Sequence, residues 1–317
     1  MRQLVLDAVN QLRALEEVQA VQAAAVSSSA AAASNDNDKE PLAVVVLHPS
    51  ILRSSQVFSE FLQGIQAGAT AYQIQLRLAV NETNPPDQHI TRLYFSDPTL
   101  RPAGVLMIGA RQHEPRLDEA RQLGLPCVLV GRQSTDSATA AVGRDEEAIA
   151  FEAVSYLLNL GHRAIAFVGG DEAYSYTHSR IRGYRRALQE GGINTPDRWV
   201  SLGEGRAAAE KILTASPEIT AALFINDAYA MDGLPLFQAA GRAIPADLSV
   251  ISFDDTAVAR TFDPPLTSVA YPRFQEGLWA VKVLVEQIRQ PLVKSFQVVF
   301  RASLIQRASC APPKPAG

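Results

Sequence analysis

The sequence predicts an α/β protein whose parallel sheets are flanked by helices, and three observations carry that reading. Short β-rich apolar runs recur along the chain, at 42–47, 74–80, 104–108, 127–130, 164–168, 221–225 and 248–253. Longer segments separate them, among them 55–72, 145–160, 179–190 and 227–240, each long enough for a crossover helix. At 317 residues a single hydrophobic core stops growing, so two lobes are the default expectation.

The apolar runs are continuous rather than alternating, as suits strands covered on both faces. Several helices carry end signals. Asp145 with Glu146 and Glu147 fits a helix start and its dipole, whereas Gly161 and Gly241 fall where a left-handed C-cap belongs. At the N-terminus, Leu4, Val5, Ala8, Val9, Leu12 and Leu15 share one side of a short helix over 1–17. Residues 18–40 lose that pattern and turn rich in Ala, Ser, Asn and Asp, a linker; the globular body starts near Pro41.

Hydrophobic residues make up 47% of the chain and charged ones 20%, the profile of a soluble globular protein. The net charge of −4 excludes a basic nucleic-acid-binding face across the whole molecule but not a small basic module on an acidic body. Two cysteines, Cys127 and Cys310, allow neither a disulfide framework nor a Cys-based zinc site and fit a reducing cytosol. Neither a secretory h-region nor a membrane-spanning apolar run is found.

Ligands of open α/β sheets bind beyond the carboxyl ends of the strands. Those positions are 48–55, 81–84, 109–112, 131–132, 169–176, 226–227 and 254–255. Hydrolase, P-loop, dinucleotide, zinc-protease and C-x-x-C motifs are all missing, and no catalytic set, metal site or cofactor is expected. The histidines (His48, His89, His113, His162, His178) lack metal-ligand spacing and read as surface or hydrogen-bonded structural groups, with His162 in a turn.

Asn226, Asp254 and Arg132 each follow an apolar run directly. A carboxylate accepts hydroxyl hydrogen bonds, a guanidinium donates a rigid fork and an amide does both, a set suited to a polyol or sugar. The competing reading is that the doublets Asn226-Asp227 and Asp254-Asp255 cap the helices that follow; one residue of each can cap while its neighbour faces a ligand. Arg180 falls at the opening of the 179–190 helix, unfavourable for the dipole, which points either to a partner or to a solvated surface side chain. Phe58 and Tyr271 could present flat ring faces or belong to the core.

The residues resemble the lactose and galactose repressor (LacI/GalR) family of transcription regulators. The resemblance rests on LGHRAIAFVGG at 160–170, RIRGYRRAL at 180–188, ALFIND at 222–227, PADLSVISFDDT at 245–256 and PPLTSV at 264–269, in family order and spacing, and covers about residues 41–310. It implies a two-lobed, periplasmic-binding-protein-like (type I) effector domain, a small effector bound in the cleft and a homodimer. The lobes implied are 41–143 with 272–293 and 144–271 with 294–310, followed by a tail at 311–317. Arg180, Asn226 and Asp254 fall on positions that commonly contact effectors in the family; Arg132, Phe58 and Tyr271 fall on more variable cleft positions.

The N-terminus departs from the family pattern. Residues 2–12, RQLVLDAVNQL, look like only the third helix of a helix-turn-helix headpiece, and the hinge segment is unrecognisable. The resulting expectation is a cytoplasmic, non-enzymatic repressor that binds a sugar, nucleoside or sugar phosphate, and operator DNA if an intact headpiece lies upstream of Met1. The alternative is a stand-alone cytosolic binding module without DNA contact. No membrane partner is expected.

Overall fold

The computed structural model describes residues 42–47, 55–80, 101–134, 136–194, 197–290 and 296–314. The 1–17 helix, the 18–40 linker, His48, His89 and the strand-end loops at 48–54 and 81–84 lie outside the described residues.

The elements run β1 (Leu42–Leu47), α1 (Ser55–Tyr72), β2 (Gln75–Val80), β3 (Gly104–Ile108), α2 (Pro115–Gln122), β4 (Cys127–Val130), β5 (Ala140–Arg144), α3 (Glu146–Asn159), β6 (Ile165–Val168) and α4 (Ser175–Glu190). They continue with β7 (Val200–Ser201), α5 (Gly205–Ala215), β8 (Ala221–Phe224), α6 (Asp227–Ala239), β9 (Ser249–Phe253), α7 (Ala257–Thr261), β10 (Thr267–Ala270), α8 (Arg273–Arg289), β11 (Gln297–Phe300) and β12 (Ser303–Ile305). The chain forms two compact units, 1–144 with 273–300 and 145–272 with 301–317, so it passes from one to the other three times.

The first unit holds a parallel sheet of order β11-β5-β4-β3-β1-β2. Side chains alternate across it, as the two-residue strand period requires. Leu106, Ile108, Val128 and Val130 pack with Ile65 of α1 and Leu284 of α8, whereas Val105, Met107, Cys127 and Leu129 pack with Ala120 of α2.

The second unit holds the order β12-β10-β9-β8-β6-β7, parallel except for the β10–β12 pair. Phe167, Leu223, Ile251 and Phe253 face α3 and α4; Val168, Phe224 and Val250 face α5 and α6. Complete burial of such side chains contributes about 1.5–3 kcal/mol each. Helices α3 and α4 approach closely at Gly183, where a Cβ would strike the carbonyl of Glu147 and come within 2.9 Å of the Phe151 amide.

Two expectations need correction. Residues 297–300, assigned above to the second lobe, pair with β5 as an edge strand of the first sheet. Helix α4 begins at Ser175 rather than near Ser179, which places Arg180 beyond the first turn and removes the dipole mismatch. The glycine signals are realised: Gly161 and Gly241 take φ values of 101° and 79° just past α3 and α6. His162 is a buried turn residue, its Nδ1 2.9 Å from Thr220 Oγ1 and its Nε2 2.9 Å from the Ala311 carbonyl.

Candidate functional site

The carboxyl edge of the second sheet is organised around Arg180. Its helix packs against α3, and this buries the guanidinium to 4% exposure beyond the ends of β8 and β9. Nε donates to Glu146 Oε2 at 2.8 Å, Nη1 donates to the Ile225 carbonyl, and Nη2 donates to the Tyr271 hydroxyl at 2.8 Å. Tyr271 in turn donates to Glu146 Oε2 at 3.0 Å, closing a buried triad. The guanidinium lies 4.0 Å from the Phe253 ring centroid and 5.1 Å from that of Tyr176. Burial, the largest influence, opposes its charge, but Glu146, Tyr271 and Asp254 together hold the Arg180 pKa above its usual value. Three of the five guanidinium N–H groups are engaged among the described residues.

The acidic doublets divide their labour. Asn226 is the N-cap of α6, its Oδ1 accepting the Tyr229 N–H at 2.9 Å. Its amide nitrogen makes no hydrogen bond among the described residues. Asp227 is buried and accepts from Ser252 Oγ, Ser268 Oγ (2.8 Å), Thr256 N (2.7 Å) and Thr256 Oγ1 (2.8 Å), tying β9, β10 and the start of α7 to α6. Burial, followed by the nearby Asp254 charge, pushes its pKa up to about 6.

Asp255 is also structural, its carboxylate accepting from Arg260 at 2.9 Å and Arg307 at 2.5 Å. Asp254 differs. It is half-buried, its backbone is held at φ 103°, and its charge is felt at Arg180, Asp227 and Tyr176. A non-glycine residue at such a φ persists only where its surroundings over-determine it, a pattern common at ligand sites.

Arg180, Asn226, Asp254 and Tyr271 are thus brought to one sheet edge. Asn226 caps through its Oδ1 alone. Tyr271 is 7% exposed; its hydroxyl joins Arg180 to Glu146, and its ring lies under the Arg180 guanidinium at 5.8 Å.

In the first unit, Arg132 follows β4. Its Nε donates to the Gln133 carbonyl at 3.1 Å and its Nη1 to the Ala110 and Arg111 carbonyls at 3.2 and 2.8 Å. Phe58 is 3% exposed within the α1 core cluster and presents no open ring face.

Two residues escaped the sequence reading. Glu146, within a run read as a dipole signal, is the counter-charge of Arg180. Asp145 caps α3, and Glu147 pairs outward with Arg182 at 2.9 Å. Tyr176 is half-buried, stacks on Tyr174 with centroids 5.3 Å apart, and lies against Arg180. Burial raises its phenol pKa above the usual value. Among the described residues no His, Cys, Asp and Glu cluster could hold a metal ion.

Residues 154–310 match a family described as the periplasmic binding protein-like domain. The chain is 28% identical over 283 residues to the HTH-type transcriptional repressor CytR of Escherichia coli (strain K12), covering 87% of this chain and 81% of the relative. The solved transcriptional regulator CelR-cellobiose complex matches with a TM-score of 0.79 at 24% identity, covering 84% of each chain. A LacI family transcriptional regulator from Enterococcus faecium, with bound ribose, matches with a TM-score of 0.72 at 22% identity over 85% of this chain and 99% of that one. Residues 154–310 are therefore similar to the periplasmic binding protein-like domain, and the chain as a whole is similar to HTH-type transcription regulators such as CytR.

Proposed function

We propose that this protein is an effector-responsive transcription regulator, a repressor that binds a sugar-like small molecule and adjusts its affinity for operator DNA accordingly. One observation carries the reading: a chain homologous to an HTH-type repressor over 87% of its length sets Arg180, Asn226, Asp254 and Tyr271 along one sheet edge. Arg180 is charge-neutralised by Glu146, so this edge offers hydrogen-bond donors and one half-buried carboxylate, Asp254, rather than net positive charge. That chemistry suits neutral hydroxyls. A sugar or the ribose of a nucleoside donates to Asp254 and accepts from Arg180 and the Asn226 amide. Solved proteins of this fold with bound cellobiose and ribose support the effector class.

Coupling to DNA follows from linkage: an effector that prefers one conformation shifts the population towards it and changes operator affinity by the factor by which DNA changes effector affinity. A homodimer in the cytoplasm is the proposed working unit, with the effector and operator DNA as partners and no catalytic role. Among the described residues no helix is long and apolar enough to cross a membrane. Homology to repressors does not favour the stand-alone binding module. Chromatin immunoprecipitation of the protein in its native cell tests the reading. Discrete genomic sites whose occupancy changes with the carbon source are expected, and the absence of any enriched site would overturn it.

A further inference from the structure

A lateral edge of the second sheet carries a groove lined by cations, apart from the effector edge. Strand β7 ends that sheet and pairs with β6 alone among the described residues. The Ser201 carbonyl accepts the Gly169 N–H, and Gly203 exchanges hydrogen bonds with Gly170. Backbone groups alternate sides along a strand, so those of Val200 and Leu202 point the other way, outward. Their side chains are half-buried and pack, with Ile181, on the core cluster on the α4 side of the sheet, which makes an apolar floor.

Cations bracket this edge from both faces of the sheet. On α4, His178, Ile181, Arg182 and Arg185 are spaced by three and four residues and share one side of the helix. Lys211 comes from α5, which packs on the opposite face. Together with Val200 and Leu202 they line a groove of about 650 Å³, within the range of ligand sites. Arg182, Arg185 and Lys211 are exposed, and Glu172 supplies the one carboxylate of the lining among the described residues. Glu147, which pairs with Arg182 at 2.9 Å, belongs to α3 and is not part of the lining. The groove is therefore locally positive on a chain of net charge −4, a field that draws an anionic partner.

We infer that the β7 edge is a docking site for an extended acidic segment of a partner protein. The segment pairs with the outward backbone of Val200 and Leu202, sets carboxylates against Arg182, Arg185 and Lys211, and lays apolar side chains on the floor between them. A single compact anion does not use this layout. His178 and Arg185 stand roughly 10 Å apart along the helix axis, and alternate side chains of an extended peptide repeat at roughly 7 Å, so one strand meets successive cations while its backbone meets β7. Acidity is the selective element, because a strand as short as β7 gives a neutral strand little to pair with. None of these residues belongs to the effector edge, so this reading and the proposed function can fail separately.

The test is selection of a random ten-residue peptide display library on the full chain, with depletion on the double variant Arg185→Glu with Lys211→Glu. Surviving peptides are expected to alternate acidic and apolar residues. By fluorescence polarisation, a survivor should bind the parent and lose about tenfold or more in the double variant and several-fold in Leu202→Ser. Methylating one alternate set of its backbone amides should abolish binding and methylating the other set should not, the signature of one-sided strand pairing. Survivors without acidic residues, or no survivors at all, overturn the inference. So does equal tolerance of both methylated sets, or undiminished binding once Ser replaces the peptide's apolar residues, which would mark a patch that takes any anion. Should the double variant fail to fold, Lys211→Glu alone, at an exposed helix position, serves for depletion, and unchanged binding to it overturns the inference.

Discussion

Arg180 Nε and Glu146 Oε2 lie 2.8 Å apart although 34 residues separate them, and both side chains are buried. The pair links α4 to the first turn of α3 and fixes the Tyr271 hydroxyl between them. Its consequence is chemical as well as structural: the most buried cation of the second unit's site is a hydrogen-bond donor without net charge to offer.

Breaking this pair from one side leaves an uncompensated buried charge. Glu146→Gln is expected to cost about 3–5 kcal/mol of stability in urea unfolding. The apolar double variant Arg180→Met with Glu146→Leu should recover most of that loss while failing to bind effector, which separates the structural role of the pair from its binding role.

Asp254 is expected to behave in the opposite way. Asn at this position tolerates the positive φ and removes only the charge. Asp254→Asn should therefore leave the thermal midpoint nearly unchanged. Effector affinity should fall by about 1.5–3 kcal/mol, the usual contribution of a hydrogen bond to a charged group.

Asp227 gives stability a pH dependence of defined sign. Its folded pKa is raised from 3.8 to about 6, so the folded state holds the proton more tightly than the unfolded chain. The resulting stabilisation is present in full below the unfolded value and is lost as pH rises through the folded one, a change on the order of 2–3 kcal/mol. Urea unfolding compared between the parent and Asp227→Asn across that window should show this decline in the parent alone.

Cys127 is buried in β4, and burial pushes its thiol up to about 12. The thiolate is the reactive form. Iodoacetamide at pH 8 should leave Cys127 unmodified in the native protein and label it once urea unfolds the chain, as mass spectrometry of the tryptic peptides would report.

Most of the architecture was legible because strands buried on both faces leave continuous apolar runs, and those runs bound β3 and β4 at their observed ends. Strands without that signature were missed. Ala140–Arg144 reads AAVGR and Thr267–Ala270 reads TSVA, both short of large apolar groups. The edge strand Gln297–Phe300 offers only three consecutive apolar residues, and none of its side chains is buried. At the carboxyl edge of the second sheet Asn226 and Asp254 could be singled out because a polar residue directly after a buried strand is conspicuous, whereas Arg180 drew attention through a helix-start position that the structure moves into the helix interior. Glu146 could not, because its pairing depends on how α3 packs on α4, and an acidic residue in a first helical turn already has a local explanation. Phe58, which the sequence left as either a ring face or a core residue, belongs to the core.

The central claim is that the carboxyl edge of the second sheet binds a sugar-like effector through Asp254 and its neighbours. Calorimetric titration of the parent protein and Asp254→Asn with ribose, cellobiose and a nucleoside tests it most directly. At least one of these ligands is expected to bind the parent, with an affinity that falls about tenfold or more in the variant. A ligand bound with equal affinity by both proteins would contradict it.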